Sequence, residues 1–357
     1  METPAHFTVP KRKLKGLLQN PAKSAEIINL VYVSDRDPGI NRIRRGKNFI
    51  YLKNGKKVTD KKELSRIKKL VIPPAWENVW ICSKPNGHLQ ATGFDTKKRK
   101  QYLYHSHWKE FRNQTKFSQL LSFGKKLPLV RGQLERDLAT PGLSQRKVLA
   151  AIITLMQQTN IRVGSNAYEK LYGSFGLTTL HDKHVKINGN SVKFSFRGKK
   201  GIYHEIDLRS RRLARLVKQC KDVPGKELFQ YYDKTGERKS IDSGMVNDYL
   251  KKICSDDFTS KDFRTWMGTV YTIEAFKELG CCETEAEAKT KIALVIDSVA
   301  RRLGNTRAVC KKYYIHPAIP AMYADKTLEK FLKSGSRSKE KTFSEAERIL
   351  IAILEAG

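Results

Sequence analysis

The run Arg301-Arg302-Leu303-Gly304-Asn305-Thr306-Arg307-Ala308-Val309-Cys310-Lys311-Lys312-Tyr313-Tyr314-Ile315-His316-Pro317 decides how the rest of the chain is read. Two adjacent tyrosines stand among cations, and a proline that cannot continue a helix closes the segment. A free phenol titrates near pKa ~10. A nucleophilic tyrosine therefore needs cationic neighbours to offset the charge that develops during attack. Taken alone, the segment reads more readily as a basic DNA-facing loop with structural aromatics, and only residues elsewhere can overturn that.

The composition narrows the partner. The chain has 357 residues, enough for two domains or one large one. With 69 Lys+Arg against 36 Asp+Glu, the formal charge is +33 and the isoelectric point about 9.9. Such a surplus repels itself unless a polyanion compensates it, and nucleic acid is the default polyanion. A membrane surface is the rival, but no apolar run reaches the roughly 18 residues of a span. The N-terminus also lacks the apolar core of a signal peptide. Cys82, Cys220, Cys254, Cys281, Cys282 and Cys310 are scattered, with no C-x-x-C and no histidine spaced as a zinc-ligand partner. They read as reduced, partly buried thiols of an intracellular protein. A hydrophobic content of 39% supports a real core, so the charge belongs to the surface.

Upstream, residues 1–28 begin Lys- and Pro-rich and read as a basic arm, mobile or in a short helix. Residues 29–117 carry strand signals and predict a small β-rich N-terminal domain. Phe49-Ile50-Tyr51-Leu52 and Val58 flank Asn54-Gly55, a hairpin cue, and Val79-Trp80-Ile81 and His88–Thr92 follow. Pro73-Pro74-Ala75-Trp76 reads as a rigid connection into a core aromatic. Lys97-Lys98-Arg99-Lys100-Gln101-Tyr102-Leu103-Tyr104 mixes cations, an amide and aromatics, a set that suits phosphates, base edges and sugars. A solvated charged strand explains it equally well. Arg42, Arg44, Arg45 and Lys47 form a second basic cluster of the same kind.

From residue 118 to 357 helical periodicity dominates, which predicts a larger, mainly helical domain. Val148, Leu149, Ile152, Ile153, Leu155 and Met156 recur at helical spacing behind Ser144, a candidate N-cap. A three-stranded meander is expected near 184–206, with Lys199 at the tip of its second turn; a lysine there is ordinarily just solvated. Phe263, Trp266, Val270, Ile273 and Phe276 form the apolar face of another helix, with Ser260 as its candidate cap. Arg264 lies in the first turns of that helix, where an arginine gains nothing from the dipole, so it is better used facing an anion. A helix over 284–303 ends at Gly304, a short helix closes at Phe331-Leu332, and a basic Ser-rich linker spans 333–341. Ser344 with Glu347 makes a capping box for a last helix. No internal repeat is visible.

Five separated residues then line up: Arg162, Lys199, Arg264, Asn305 and Tyr314. Two arginines, a lysine and an amide converging on one phosphate suit phosphodiester transesterification by a tyrosine. The transition state gains negative charge on the non-bridging oxygens, which guanidinium donors stabilise, and the leaving 5′-oxygen needs a proton. No Asp/Glu cluster of the Mg²⁺-holding kind and no phosphate-loop motif is evident, so chemistry without metal or ATP is the consistent expectation.

With these pieces the sequence resembles the type IB DNA topoisomerases, in their compact bacterial and poxvirus-like branch. The resemblance rests on residues 98–104, Ile161-Arg162-Val163-Gly164, Gly176-Leu177-Thr178-Thr179-Leu180, Phe196-Arg197-Gly198-Lys199, Lys261–Trp266, Leu303-Gly304-Asn305-Thr306 and Lys311–Pro317, in the family's order over roughly residues 30–320. It implies an α+β fold, with a small β-rich lobe and a helical catalytic lobe of the tyrosine recombinase/topoisomerase IB type, forming a clamp around duplex DNA. It implies Tyr314 as the nucleophile of a 3′-phosphotyrosyl link, with Arg162, Arg264 and Asn305 on the scissile phosphate. Lys199, assisted by Arg162, would protonate the 5′-oxygen. Gln101 and Tyr102 match family positions that touch DNA, and the basic clusters add Lys98, Arg99, Tyr104, Arg44 and Arg45 as expected DNA contacts of the N-terminal lobe. No cofactor or metal is implied, and the partner is duplex DNA, held by a monomer. The compartment is bacterial cytoplasm or nucleoid, or a virion or infected-cell cytoplasm.

Two departures stand out. Many type IB enzymes carry histidine where this chain has Asn305, which donates a hydrogen bond but bears no charge; the bacterial branch is similar in having Asn. Tyr313 adjoins Tyr314, and the register against Ile315-His316-Pro317 favours Tyr314. A tyrosine recombinase shares the chemistry, but usually has histidine where this chain has Lys261, and a helical N-terminal domain. A non-catalytic basic DNA binder is the remaining alternative.

Overall fold

The computed structural model describes residues 21–46, 48–96, 98, 100–115, 117–334 and 342–356. Residues 1–20 of the expected arm, Lys47, Lys97, Arg99 and residues 335–341 of the expected linker lie outside them. The chain divides into two compact units, one ending at Gln119 and one beginning at Leu120.

The N-terminal unit opens with helix α1 (Pro21–Ile27). Its Ala25, together with Ile28 and Leu30, is buried against Trp108 and Phe111 of α3 (Ser106–Thr115), so from Pro21 onward the expected arm is part of a packed core. The unit's sheet contains β1 (Gly39–Arg45), β2 (Asn48–Lys53), β3 (Lys56–Lys57), β4 (Glu77–Cys82), β5 (Leu89–Phe94) and β6 (Lys100–Tyr104), in the order β3-β2-β1-β4-β5-β6 with antiparallel neighbours. The Asn54-Gly55 hairpin forms as expected: both residues have positive φ (50° and 76°), which matches the twist of the flanking strands. Ile40, Val79, Ile81 and Ala91 pack one face of the sheet against Ile67 of α2 (Lys61–Lys69). That helix was not expected. Its lysines hide the spacing of Leu64 and Ile67, and its start rests on Asp60, whose carboxylate caps the Lys62 N–H at 3.0 Å.

Arg42 corrects the second basic cluster. Its side chain is buried and donates to the carbonyls of Ile72, Pro73 and Trp76 at 3.2, 2.9 and 2.8 Å. Prolines supply no N–H, so the carbonyls of this Pro-Pro connection need an outside donor, and Arg42 is it.

The second unit is built on α4 (Leu120–Ala139), α5 (Gln145–Thr159), α9 (Ser260–Leu279) and α14 (Glu345–Ala356), with α6 (Asn166–Tyr172), α7 (Arg211–Lys221), α8 (Ser243–Cys254), α10 (Glu285–Arg302), α11 (Arg307–Tyr313), α12 (Ala318–Ala324) and α13 (Leu328–Ser334) around them. Trp266 is fully buried beside Phe123. Gly124 makes room for its ring: a Cβ there would lie 2.3 Å from Trp266. Ser144 caps α5 as expected, whereas α9 is capped by Thr259, which exchanges hydrogen bonds with Asp262, and not by Ser260. The Ser344/Glu347 capping box is present, with reciprocal bonds of 2.9 and 3.2 Å. The meander forms as β7 (Val185–Asn188), β8 (Ser191–Arg197) and β9 (Tyr203–Arg209), with Phe196 opposite His204 and a tight turn at Lys199–Gly201. A hairpin of β10 (Gln230–Tyr232) and β11 (Arg238–Ser240) was not anticipated; it turns through Gly236 at φ 81°. All six cysteines are free, and only Cys281 is exposed.

Candidate active site

The second unit brings together all five residues singled out for catalysis. The end of α5 supplies the first anchor. Asn160 closes that helix in the left-handed conformation at φ 57°, a region asparagine tolerates, and its carbonyl accepts from Arg264 Nη1 at 2.5 Å. Two residues on, Arg162 reaches Gly304 O at 3.1 Å and Asn305 Oδ1 at 2.6 Å. Arg264 Nη2 donates to Leu303 O at 2.6 Å. The backbone at the end of α10 is thus held from two sides by guanidinium groups. Gly304 at φ 59° makes the reversal that delivers Asn305.

Arg264 is 5% exposed, and its Nε is buried without a hydrogen-bond partner. Its guanidinium carbon lies 5.1 Å from the centroid of the Tyr314 ring. Burial pushes its pKa down, opposed by Tyr314. Arg162 is lowered to about 10, first by burial and then by the charge of Arg264, and remains cationic at neutral pH. Lys199, at the tip of the β8–β9 turn, is also lowered, by desolvation and then by Arg162. Arg264 depresses Arg162, and both depress Lys199, so cations gathered this closely suit an anion between them.

The tyrosines differ. Tyr313 ends α11, is 39% exposed and has Lys312 over its ring at 5.4 Å. Tyr314 is half-buried beside Arg264. Its backbone lies against α9: Thr269 Oγ1, whose one proton is shared between Thr265 O at 2.9 Å and the Tyr314 carbonyl at 3.3 Å, accepts the His316 N–H at 3.1 Å. Gly268 permits this approach, since a Cβ there would sit 2.5 Å from Tyr314 O. Asn160, Gly268, Thr269 and the ring of His204 were not singled out in the sequence. A glycine inside an apolar helical pattern was the available signal for Gly268; the others depend on tertiary approach.

The N-terminal candidates are less uniform. Arg44 and Arg45 are exposed on β1. On β6, Tyr102 and Tyr104 stack at 6.1 Å, while the alternation of the strand turns Gln101 and Leu103 to the opposite face. Tyr102 is 49% exposed, whereas Tyr104 is half-buried and its phenol pKa is raised by burial. Gln101 donates to Asp95 at 3.1 Å, and Lys98 pairs with Glu77. Arg99 lies outside the described residues. Among the described residues, no three His, Cys, Asp or Glu side chains gather as a metal-holding group, and no helix is long and apolar enough to cross a membrane.

Residues 105–342 match the family described as eukaryotic DNA topoisomerase I, catalytic core, and residues 48–95 match bacterial DNA topoisomerase IB, N-terminal domain. The chain belongs to the type IB DNA topoisomerases. DNA topoisomerase 1B of Acanthamoeba polyphaga mimivirus is 35% identical over 286 residues, covering 78% of this chain and 85% of the viral one. DNA topoisomerase 1B of vaccinia virus (strain Copenhagen) is 26% identical over 262 residues, 72% and 78% of the two chains, and DNA topoisomerase I of monkeypox virus is similar to the same extent. This topoisomerase is therefore an enzyme that acts on DNA topology. Its two matched segments fall in the sheet-bearing and the helical unit, except that the longer match begins with α3.

Proposed function

We propose that this topoisomerase relaxes supercoiled duplex DNA through a phosphodiester bond to Tyr314. The Tyr314 hydroxyl attacks the scissile phosphorus. As its oxygen bonds to phosphorus, the bond to the 5′-oxygen breaks; the phenol proton goes to water, and the 5′-oxygen takes a proton from Lys199. The strand then carries a 3′-phosphotyrosyl link, and its free 5′ end rotates. Religation reverses the step: the 5′-hydroxyl attacks and returns its proton to Lys199, the bond from phosphorus to the Tyr314 oxygen breaks, and that oxygen takes a proton back from water. One phosphodiester replaces another, so no ATP is consumed, and no step uses a metal.

Arg162 and Arg264 bind the non-bridging oxygens and offset the charge gained in the transition state. The observation that carries this reading is Arg264, a buried guanidinium with an unpartnered Nε beside the Tyr314 ring. A phosphate oxygen would supply the missing acceptor. Asn305 has its Oδ1 on Arg162, and one Nδ2 hydrogen goes to Leu303 O at 3.3 Å, which leaves the other for the phosphate. In the N-terminal unit, Arg44, Arg45, Lys98, Arg99, Gln101, Tyr102 and Tyr104 are proposed to contact DNA, with Gln101 and Lys98 first leaving their carboxylate partners. The enzyme is proposed to act as a monomer that clamps duplex DNA, inside a bacterial cell, a virion or an infected cell.

The test is a nicked suicide substrate, whose short downstream fragment, carrying the new 5′-hydroxyl, dissociates after cleavage and traps the adduct. Peptide mapping should find the 3′-phosphate on Tyr314. An adduct on Tyr313, or on a 5′-phosphate, would overturn the assignment.

A further inference from the structure

The turns that carry Lys199 and Asn305 are separated by one side chain, His204. On β9 it lies opposite Phe196 and stacks on that ring, with centroids 5.2 Å apart and planes 24° apart. The ring lies close to both turns. A Cβ placed on Gly198 would fall 2.5 Å from His204 Cδ2, and one placed on Gly304 would fall 2.5 Å from Cε1, so the imidazole fills the space beside both glycines. The two glycines are needed for different reasons. Gly304 has φ 59°, which favours glycine whatever surrounds it. Gly198 has φ −93° and ψ −163°, a backbone any residue adopts, so only the ring of His204 excludes a side chain there.

We infer that His204 is a positioning residue for the cleavage step: its imidazole, backed by Phe196, is a wedge that sets the distance between Lys199 and Asn305. This rests on Lys199 being the proton donor to the 5′-oxygen. A proton donor and a phosphate ligand on separate turns must both meet one phosphodiester, and a displacement of about 1 Å in such a pair can cost on the order of 100-fold in rate. The ring also suits a place among cations. Burial, then Arg162 and Arg264, lowers its pKa, so it stays neutral at neutral pH and adds no repulsion.

The experiment measures single-turnover cleavage by His204→Ala, Gly198→Ala, the double variant and Lys199→Ala, on duplexes with an ordinary 5′-oxygen and with a 5′-sulfur leaving group. A thiolate leaves with little need for a proton. His204→Ala should bind duplex DNA as the parent does and cleave the oxygen substrate about 10- to 100-fold more slowly, with most of that loss absent on the sulfur substrate. Gly198→Ala should slow the parent enzyme but cost far less in the His204→Ala background, where the new methyl has room. Equal losses on both substrates for His204→Ala, loss of DNA binding, or additive effects of the two substitutions would each overturn the wedge. Lys199→Ala separates this from the underlying reading. If it slows both substrates equally, the proton-donor assignment falls, and the coupling between Gly198→Ala and His204→Ala still decides whether the wedge exists.

Discussion

At the scale of single residues, the site is a competition for hydrogen-bond acceptors that the proposed scissile phosphate would resolve. Arg162 and Arg264 are satisfied by the carbonyls of Asn160, Leu303 and Gly304 and by Asn305 Oδ1, yet one buried N–H of Arg264 has no acceptor. Tyr314 is the phenol beside that group, and Tyr313 faces Lys312 at the surface. Tyr314→Phe should therefore bind duplex DNA and relax none, while Tyr313→Phe should keep most of the activity. Plasmid relaxation with a parallel filter-binding measurement checks this, and residual relaxation by Tyr314→Phe would sink it. The five catalytic candidates were legible because their residue types match one chemistry. Arg42 shows the limit of such reading: in sequence it is one more cation of a basic run, but in the fold it neutralises the orphan carbonyls of a Pro-Pro segment.

At the scale of elements, α9 matters more than its own residues suggest. It carries Arg264, fixes the backbone of Tyr314 through Gly268 and Thr269, and buries Trp266 against α4 and α14. Gly268→Ala should push Tyr314, the proposed nucleophile, away from Arg264 and slow cleavage about 10- to 100-fold with little change in DNA affinity. An unchanged cleavage rate would mean that the close approach is dispensable. Glu347 joins α14 to this helix: it is 3% exposed, accepts Arg131 at 2.7 and 3.1 Å, and accepts Trp266 Nε1 at 2.9 Å. Burial alone would raise its carboxyl, but Arg131, Trp266 and the Ser344 N–H outweigh that and hold it below its ordinary value. A carboxylate with a depressed folded-state pKa contributes its full stability above the unfolded value of about 4.3 and loses it as pH falls through the lower folded value. Glu347→Gln should lower stability by about 1–3 kcal/mol at neutral pH, and the gap from the parent should close in acid. Calorimetry at pH 7 and pH 3 measures both; a constant gap would show that the charge is not what counts.

At the scale of the whole molecule, the +33 charge sets how the enzyme meets DNA. Affinity for duplex DNA should fall linearly in log–log form with salt, with a slope of about −0.9 per phosphate neutralised, whatever the sequence bound. Cleavage of already bound DNA should respond much less, because Arg264 is buried and poorly screened. Titration over a range of salt, paired with single-turnover cleavage, separates the two. A flat binding slope would remove the basic surface as the DNA-facing one.

The sequence by itself determined the α+β class, the Asn54-Gly55 hairpin, the meander with Lys199 at its turn, the apolar face of α9 and the residue types of the site. These follow from local rules: turn chemistry, side-chain period and the chemistry of a phosphodiester. Only the tertiary structure decided that α2 forms from a lysine-rich stretch and that Arg42 is internal. It alone brought His204 against Gly198 and Gly304, residues 6 and 100 positions away in the chain. Contacts of that kind depend on how separate elements pack, and no local pattern of charge or periodicity encodes which side chain will fill the space between two turns.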